Sequence, residues 1–180
     1  MICKINLLYT VKSTLSPLIT EFKPHLVQSI KLKKPTSTLH KPFDNINEIL
    51  EAIKVYNKQL YLCCLMTYGC LLRPHREIRE LSWSDFSDEL KYIHLSGNRN
   101  KSGRNRIVPV PKYIRTILCS RESSLNVFTG SKRPPNPSYF SKLWERFKGA
   151  SSSIDEMQTL YSFRHSGAID VFKRTGSITK

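Results

Sequence analysis

The sequence predicts a mainly α domain with a small antiparallel β-sheet (α+β), on three observations. Apolar residues recur at helical spacing in several separate segments. One segment, residues 60–72, is apolar on nearly every face and reads as a central buried helix. Two β-rich runs, residues 91–95 and 106–110, flank a stretch of Gly, Asn and Ser and read as an antiparallel hairpin with a long loop.

The elements follow in order. Residues 31–42, KLKKPTSTLHKP, have the Pro, Ser, Thr and Lys content of a linker. Asp44 is placed to cap a helix whose Ile46, Ile49, Leu50 and Ile53 repeat at i, i+3, i+4 and i+7. The apolar helix from Leu60 should end at Arg73, because Pro74 disfavours helical geometry in the residue before it. Pro74 then suits the first position of a short helix reaching Leu81. After the hairpin, Pro111 opens a helix with Ile114, Ile117 and Leu118 on one face, and residues 132–137 form a loop. Tyr139, Phe140, Leu143, Trp144 and Phe147 form an aromatic stripe at helical spacing, which is read as core rather than as a base-stacking platform. A last helix is expected over residues 159–175, stopped by Gly176.

Composition narrows the function. The 180 residues, 39% hydrophobic and 24% charged, suffice for one domain with a real core and exclude a collagen-like or disordered chain. With 29 basic and 14 acidic residues the net charge is +15, an excess that points to a polyanion, most often nucleic acid. Residues 1–40 hold 6 basic and 1 acidic residue, residues 41–90 hold 6 and 8, and residues 91–180 hold 17 and 5. The anion-seeking surface is therefore mainly C-terminal. No apolar run approaches the ~18 residues of a membrane span, and Ile5 to Val11 is too short and polar for a signal peptide. Five cysteines (Cys3, Cys63, Cys64, Cys70, Cys119) without C-x-x-C spacing read as buried reduced thiols rather than a metal site, and the expected location is cytoplasmic.

Three cationic sites sit where charge is expensive. Arg73 follows the apolar helix; it is either a phosphate ligand or a structural partner of Glu77, four residues on. Lys101 and Arg104 lie in the loop segment NRNKSGRNR, which on its own reads first as a solvated turn. Arg164 stands beside His165 in YSFRHSGA among apolar and small residues, where a core salt bridge is the competing reading.

Taken in order, these sites resemble the tyrosine recombinase (phage integrase) family. YGCLLRPHREIRELSWSDF is similar to its first arginine box, where an Arg at the end of a buried helix precedes a Glu, a Leu and a W-x-D. KYIHLSGNRNKSGRNRIVPVP resembles its β-hairpin, in which a Lys-containing turn leads to R-x-V-P, and TLYSFRHSGAIDVF resembles its second arginine box, H-x-x-R-H. The likeness covers roughly residues 40–180, closest in wording to integrases of Bacteroides-type mobile elements. It implies a recombinase catalytic domain at 43–180, preceded by the tail of a helical core-binding domain at 1–35 and a linker to about 42.

The resemblance also implies a chemistry: DNA integration and recombination by attack of a Tyr hydroxyl on a DNA phosphodiester, with no metal or cofactor. Arg73 and Arg164 would clamp the phosphate, which suits the planar guanidinium fork. Lys101 would protonate the leaving oxygen. Arg99, Arg104, Arg106 and His165 would contact DNA. The partners implied are double-stranded DNA and, in a full-length protein, other recombinase protomers.

Three departures from the family pattern stand out. Glu77 follows Arg73 by four residues where three is usual. Tyr161 occupies the usual His position, and a phenol with a reference pKa of about 10 is a poor base. No Tyr follows Arg164, so the nucleophile of the third box is absent and Tyr161 is not promoted to it. The expectation is a domain cut before its last helices, as a gene fragment or a partial chain, and cleavage-defective as written. The alternative is a non-enzymatic DNA-binding module or a dampener of full-length recombinase. A basic RNA-associated protein ranks last, because it explains the charge and not the boxes.

Overall fold

The computed structural model describes residues 40–100, 102–119 and 121–176. The expected core-binding remnant at 1–35, the part of the linker before His40, Cys3 and Lys101 lie outside these residues. The architecture is mainly helical with one two-stranded antiparallel sheet. In chain order the longer elements are α1 (Ile46–Tyr56), α2 (Lys58–Gly69), β1 (Tyr92–Leu95), β2 (Arg106–Pro109), α3 (Lys112–Arg115), α4 (Tyr139–Ala150) and α5 (Leu160–Thr175). A π turn, Pro74–Ile78, and a 3-10 turn, Trp83–Asp85, join α2 to the hairpin.

Helix α2 is the axis of the core. Leu60, Cys63, Cys64 and Met66 are fully buried, as the uniformly apolar sequence requires. It starts earlier than Leu60 because the Asn57 side chain accepts from the amides of Gln59 (3.0 Å) and Leu60 (2.9 Å). It also ends before the expected Arg73. At Gly69 a Cβ would stand 2.3 Å from Tyr113 Oη and 2.8 Å from Ile114 Cδ1, so the close seat of α3 requires glycine there. The chain then bends through Leu71, whose φ of 53° is left-handed and unfavourable for a branched residue.

The α1 stripe faces this core through Ile49, Leu50 and Ile53, although the cap position falls on Asn45 rather than Asp44. The aromatic stripe is core: Phe140, Trp144 and Phe147 are buried, and Trp144 meets Phe163 of α5 edge to face at 5.6 Å. Helix α3 is a single turn, which leaves Ile117 exposed instead of sharing the buried face of Ile114 and Leu118. The hairpin pairs Ile93 with Val108 and Leu95 with Arg106. Helix α5 closes as expected with Gly176 left-handed at φ 66°.

Cys63, Cys64 and Cys70 are buried thiols whose pKa values burial pushes up, to about 12 for Cys70. Cys119 differs from that expectation and is exposed. Among the described residues no helix is long and apolar enough to cross a membrane.

Candidate nucleic-acid interface

The turn after α2 builds one wall of the site. Arg73 is extended (φ −80°, ψ 127°), as a residue before proline should be, and Pro74 opens the π turn. The Ile78 amide reaches back to the Arg73 carbonyl at 3.1 Å, a ring one residue wider than an α turn. This wider ring takes up the extra residue between Arg73 and Glu77. Glu77, with no exposed surface, still reaches Arg73: it accepts from the Arg73 amide at 2.9 Å and from Nη1 at 2.6 Å. Its second oxygen also accepts from Arg106 Nη2 of β2 at 2.8 Å.

Helix α5 forms the opposite wall. Thr159 caps it, accepting from the Tyr161 amide at 3.2 Å, while Ser162 Oγ accepts from the Thr159 amide at 2.9 Å. One turn later Arg164 donates its Nε to the Leu71 carbonyl at 2.8 Å, tying α5 to the strained bend. The two segments meet closely because residue 167 is glycine: a Cβ there would lie 2.1 Å from the Tyr68 carbonyl oxygen.

Arg164 has no carboxylate partner among the described residues, so the core salt bridge weighed from sequence is not formed. Its terminal nitrogens are also without a hydrogen bond there. Burial lowers its pKa first, and the positive charges of Arg73 and Arg106 lower it further, against Glu77 and Tyr161. Two guanidiniums thus share one carboxylate and a third stands unpaired beside them, an excess of positive charge that an anion would relieve. The structural reading of Arg73 and the ligand reading are compatible, since Glu77 engages only its amide and Nη1.

The other expected DNA contacts divide. Arg106 joins the cluster, and its Nε is buried without a partner. Arg104 is exposed on the loop. Arg99 instead forks onto Asp85 at 2.7 and 2.6 Å with only 14% of its side chain exposed, and it ties the loop to the 3-10 turn. That pairing gives the Asp of the Trp83-Ser84-Asp85 motif its role. His165 is exposed on α5.

Two residues not singled out from the sequence also reach the site. His40 stacks on Tyr161 at 5.3 Å between ring centroids, with its Nδ1 2.9 Å from Thr159 Oγ1. His75, on the π turn, meets the same phenol at 5.7 Å. The only forewarning of His75 in the sequence was its position inside the lengthened Arg–Glu spacing.

Among solved structures the chain is similar to lambda integrase bound to DNA (TM-score 0.64, 19% identity, 92% of this chain and 65% of that one). It is also similar to XerH site-specific recombinase bound to difH substrate in a pre-cleavage complex (TM-score 0.55, 17% identity, 83% and 46%). A third likeness is to the Tn1549 transposon integrase in complex with a circular intermediate DNA (TM-score 0.54, 14% identity, 80% and 56%). The chain spans roughly half to two thirds of the length of these structures. No family model and no curated protein matches it. The fold is that of the tyrosine recombinase/integrase catalytic domain.

Proposed function

We propose that this chain is a duplex-DNA-binding domain of the site-specific recombinase kind, gripping a backbone phosphate with Arg73, Arg106 and Arg164. The observation that carries this reading is the pairing of Arg73 and Arg106 with Glu77 beside a third guanidinium, Arg164, whose terminal nitrogens hold no hydrogen bond among the described residues. The DNA-bound state of the similar integrases and recombinase supports it. Lys101 and Arg104 would add contacts from the hairpin loop, with Lys101 the proton donor to a leaving oxygen. The test is duplex binding as a function of salt: affinity should fall steeply, since counterion release dominates phosphate contacts. A folded sample without measurable duplex binding at low salt would overturn the reading.

Strand cleavage by this polypeptide alone is not expected. Cleavage needs a nucleophile aligned with the phosphate. Tyr68 is bonded to Asp170, Tyr139 to Gln59, and Tyr92 lies on the hairpin. Tyr161 alone stands at the arginine cluster among the described residues, packed between His40 and His75. A nicked suicide substrate should give no DNA-linked protein. A covalent band lost on Tyr161→Phe would make Tyr161 the nucleophile.

A further inference from the structure

The π turn does more than restore the Arg73–Glu77 pair: it carries an imidazole to the edge of the arginine cluster. His75 is half-buried, its ring makes no hydrogen bond among the described residues, and it lies beside Tyr161, whose hydroxyl is likewise unbonded there. The phenol it meets stands among cationic and neutral groups. Tyr161 stacks on His40, which in turn meets His165, and it lies within electrostatic reach of Arg164, itself beside Arg73 and Arg106. On its own turn stand Arg73 and Glu77, while Arg76 is turned away onto Glu80 at 3.4 Å. Glu77 is the one carboxylate at the cluster among the described residues, and two arginines already hold it. A protonated His75 therefore has no free carboxylate to pair with among the described residues.

We propose that His75 is a further phosphate-contacting group of this site, whose protonation tightens the grip on duplex DNA as the pH falls. The proposal rests on the phosphate-site reading above. Burial holds the His75 pKa below the ordinary value, so the free protein presents it neutral near pH 7. A DNA phosphate supplies the counter-charge that the fold withholds, and binding and protonation are then linked: the duplex raises the His75 pKa, and acid raises the affinity.

The test is the affinity for a short duplex of arbitrary sequence at fixed salt, measured from about pH 7.5 to about pH 5.5. The wild-type chain should bind about three- to tenfold more tightly at the acid end. His75→Gln should reduce that gain to less than about twofold, while His94→Gln, on β1, keeps it. A full gain in His75→Gln, or none in the wild type, overturns the proposal. Should His75→Gln fail to fold, NMR titration of the wild-type His75 ring decides: its pKa should rise when duplex is added, and an unmoved pKa refutes the contact. A wild type that binds no duplex at either pH removes the phosphate-site reading and this proposal together. Binding that needs Arg164 but ignores His75 removes this proposal alone.

Discussion

Glu77 holds Arg73 twice, through its amide at 2.9 Å and its guanidinium at 2.6 Å, across a π turn that bridges their four-position spacing. The same carboxylate is fully buried and shared with Arg106. Removing it leaves two half-buried guanidiniums facing each other and an orphaned amide. Glu77→Ala should cost about 3 kcal/mol in denaturant unfolding. Glu77→Gln, which keeps the shape and one acceptor, should cost clearly less. Equal stability of Glu77→Ala and wild type would remove Glu77 as the organiser of the cluster.

Gly167 sets the approach of α5 to the end of α2. A methyl group at that position meets the Tyr68 carbonyl oxygen at 2.1 Å and Leu71 Cδ2 at 3.0 Å. Gly167→Ala should destabilise by roughly 1–3 kcal/mol through forced backbone shifts. It should also weaken DNA binding, because Arg164 is anchored on the Leu71 carbonyl of the same contact. An unchanged melting temperature would contradict the close packing.

Arg99 and Asp85 form a bidentate pair with both side chains largely buried. A double-mutant cycle with Arg99→Ala and Asp85→Ala should return a coupling of about 1–3 kcal/mol in stability. If Arg99→Ala instead leaves stability intact and lowers the salt slope of DNA binding by about one, Arg99 is a phosphate contact.

Acidification should lower the stability of the DNA-free protein. Burial places the folded-state pKa of His75 below its unfolded value, and burial, His40 and Arg164 do the same for His165. The unfolded chain therefore takes up protons first as pH falls below about 6.5, and stability drops from there until the folded pKa values are passed. Melting temperatures at about pH 7.5 and 5.5 should show the fall, with a smaller one in His75→Gln. A rise in melting temperature on acidification would reverse the sign.

Much of the fold was legible because local periodicity and burial agreed. The stripes of α1 and α4 and the all-apolar α2 occupy the places their patterns demand. Boundaries were less legible, since they were decided across the fold: α2 stops where Tyr113 and Ile114 press on Gly69, a contact no window around Pro74 contains. The cationic residues Arg73, Arg106 and Arg164 were visible one at a time, and Arg73–Glu77 was visible as a possible pair whose spacing is one residue longer than the resembled pattern. A π turn resolves it, and propensities do not announce one. Arg99 looked like its neighbours in a basic loop, yet Asp85, 14 positions earlier, claims it. His40 reaches Tyr161 across the whole described domain, beyond any local pattern.

The proposed grip of the arginine cluster on a DNA phosphate is tested most directly at Arg164, which holds no carboxylate among the described residues. The direct measurement is the affinity and salt slope of duplex binding for wild type and Arg164→Ala, with folding checked by thermal melts. Loss of about tenfold or more in affinity, with the slope reduced by about one, is the predicted result. A folded Arg164→Ala that binds duplex with wild-type affinity and slope would contradict it.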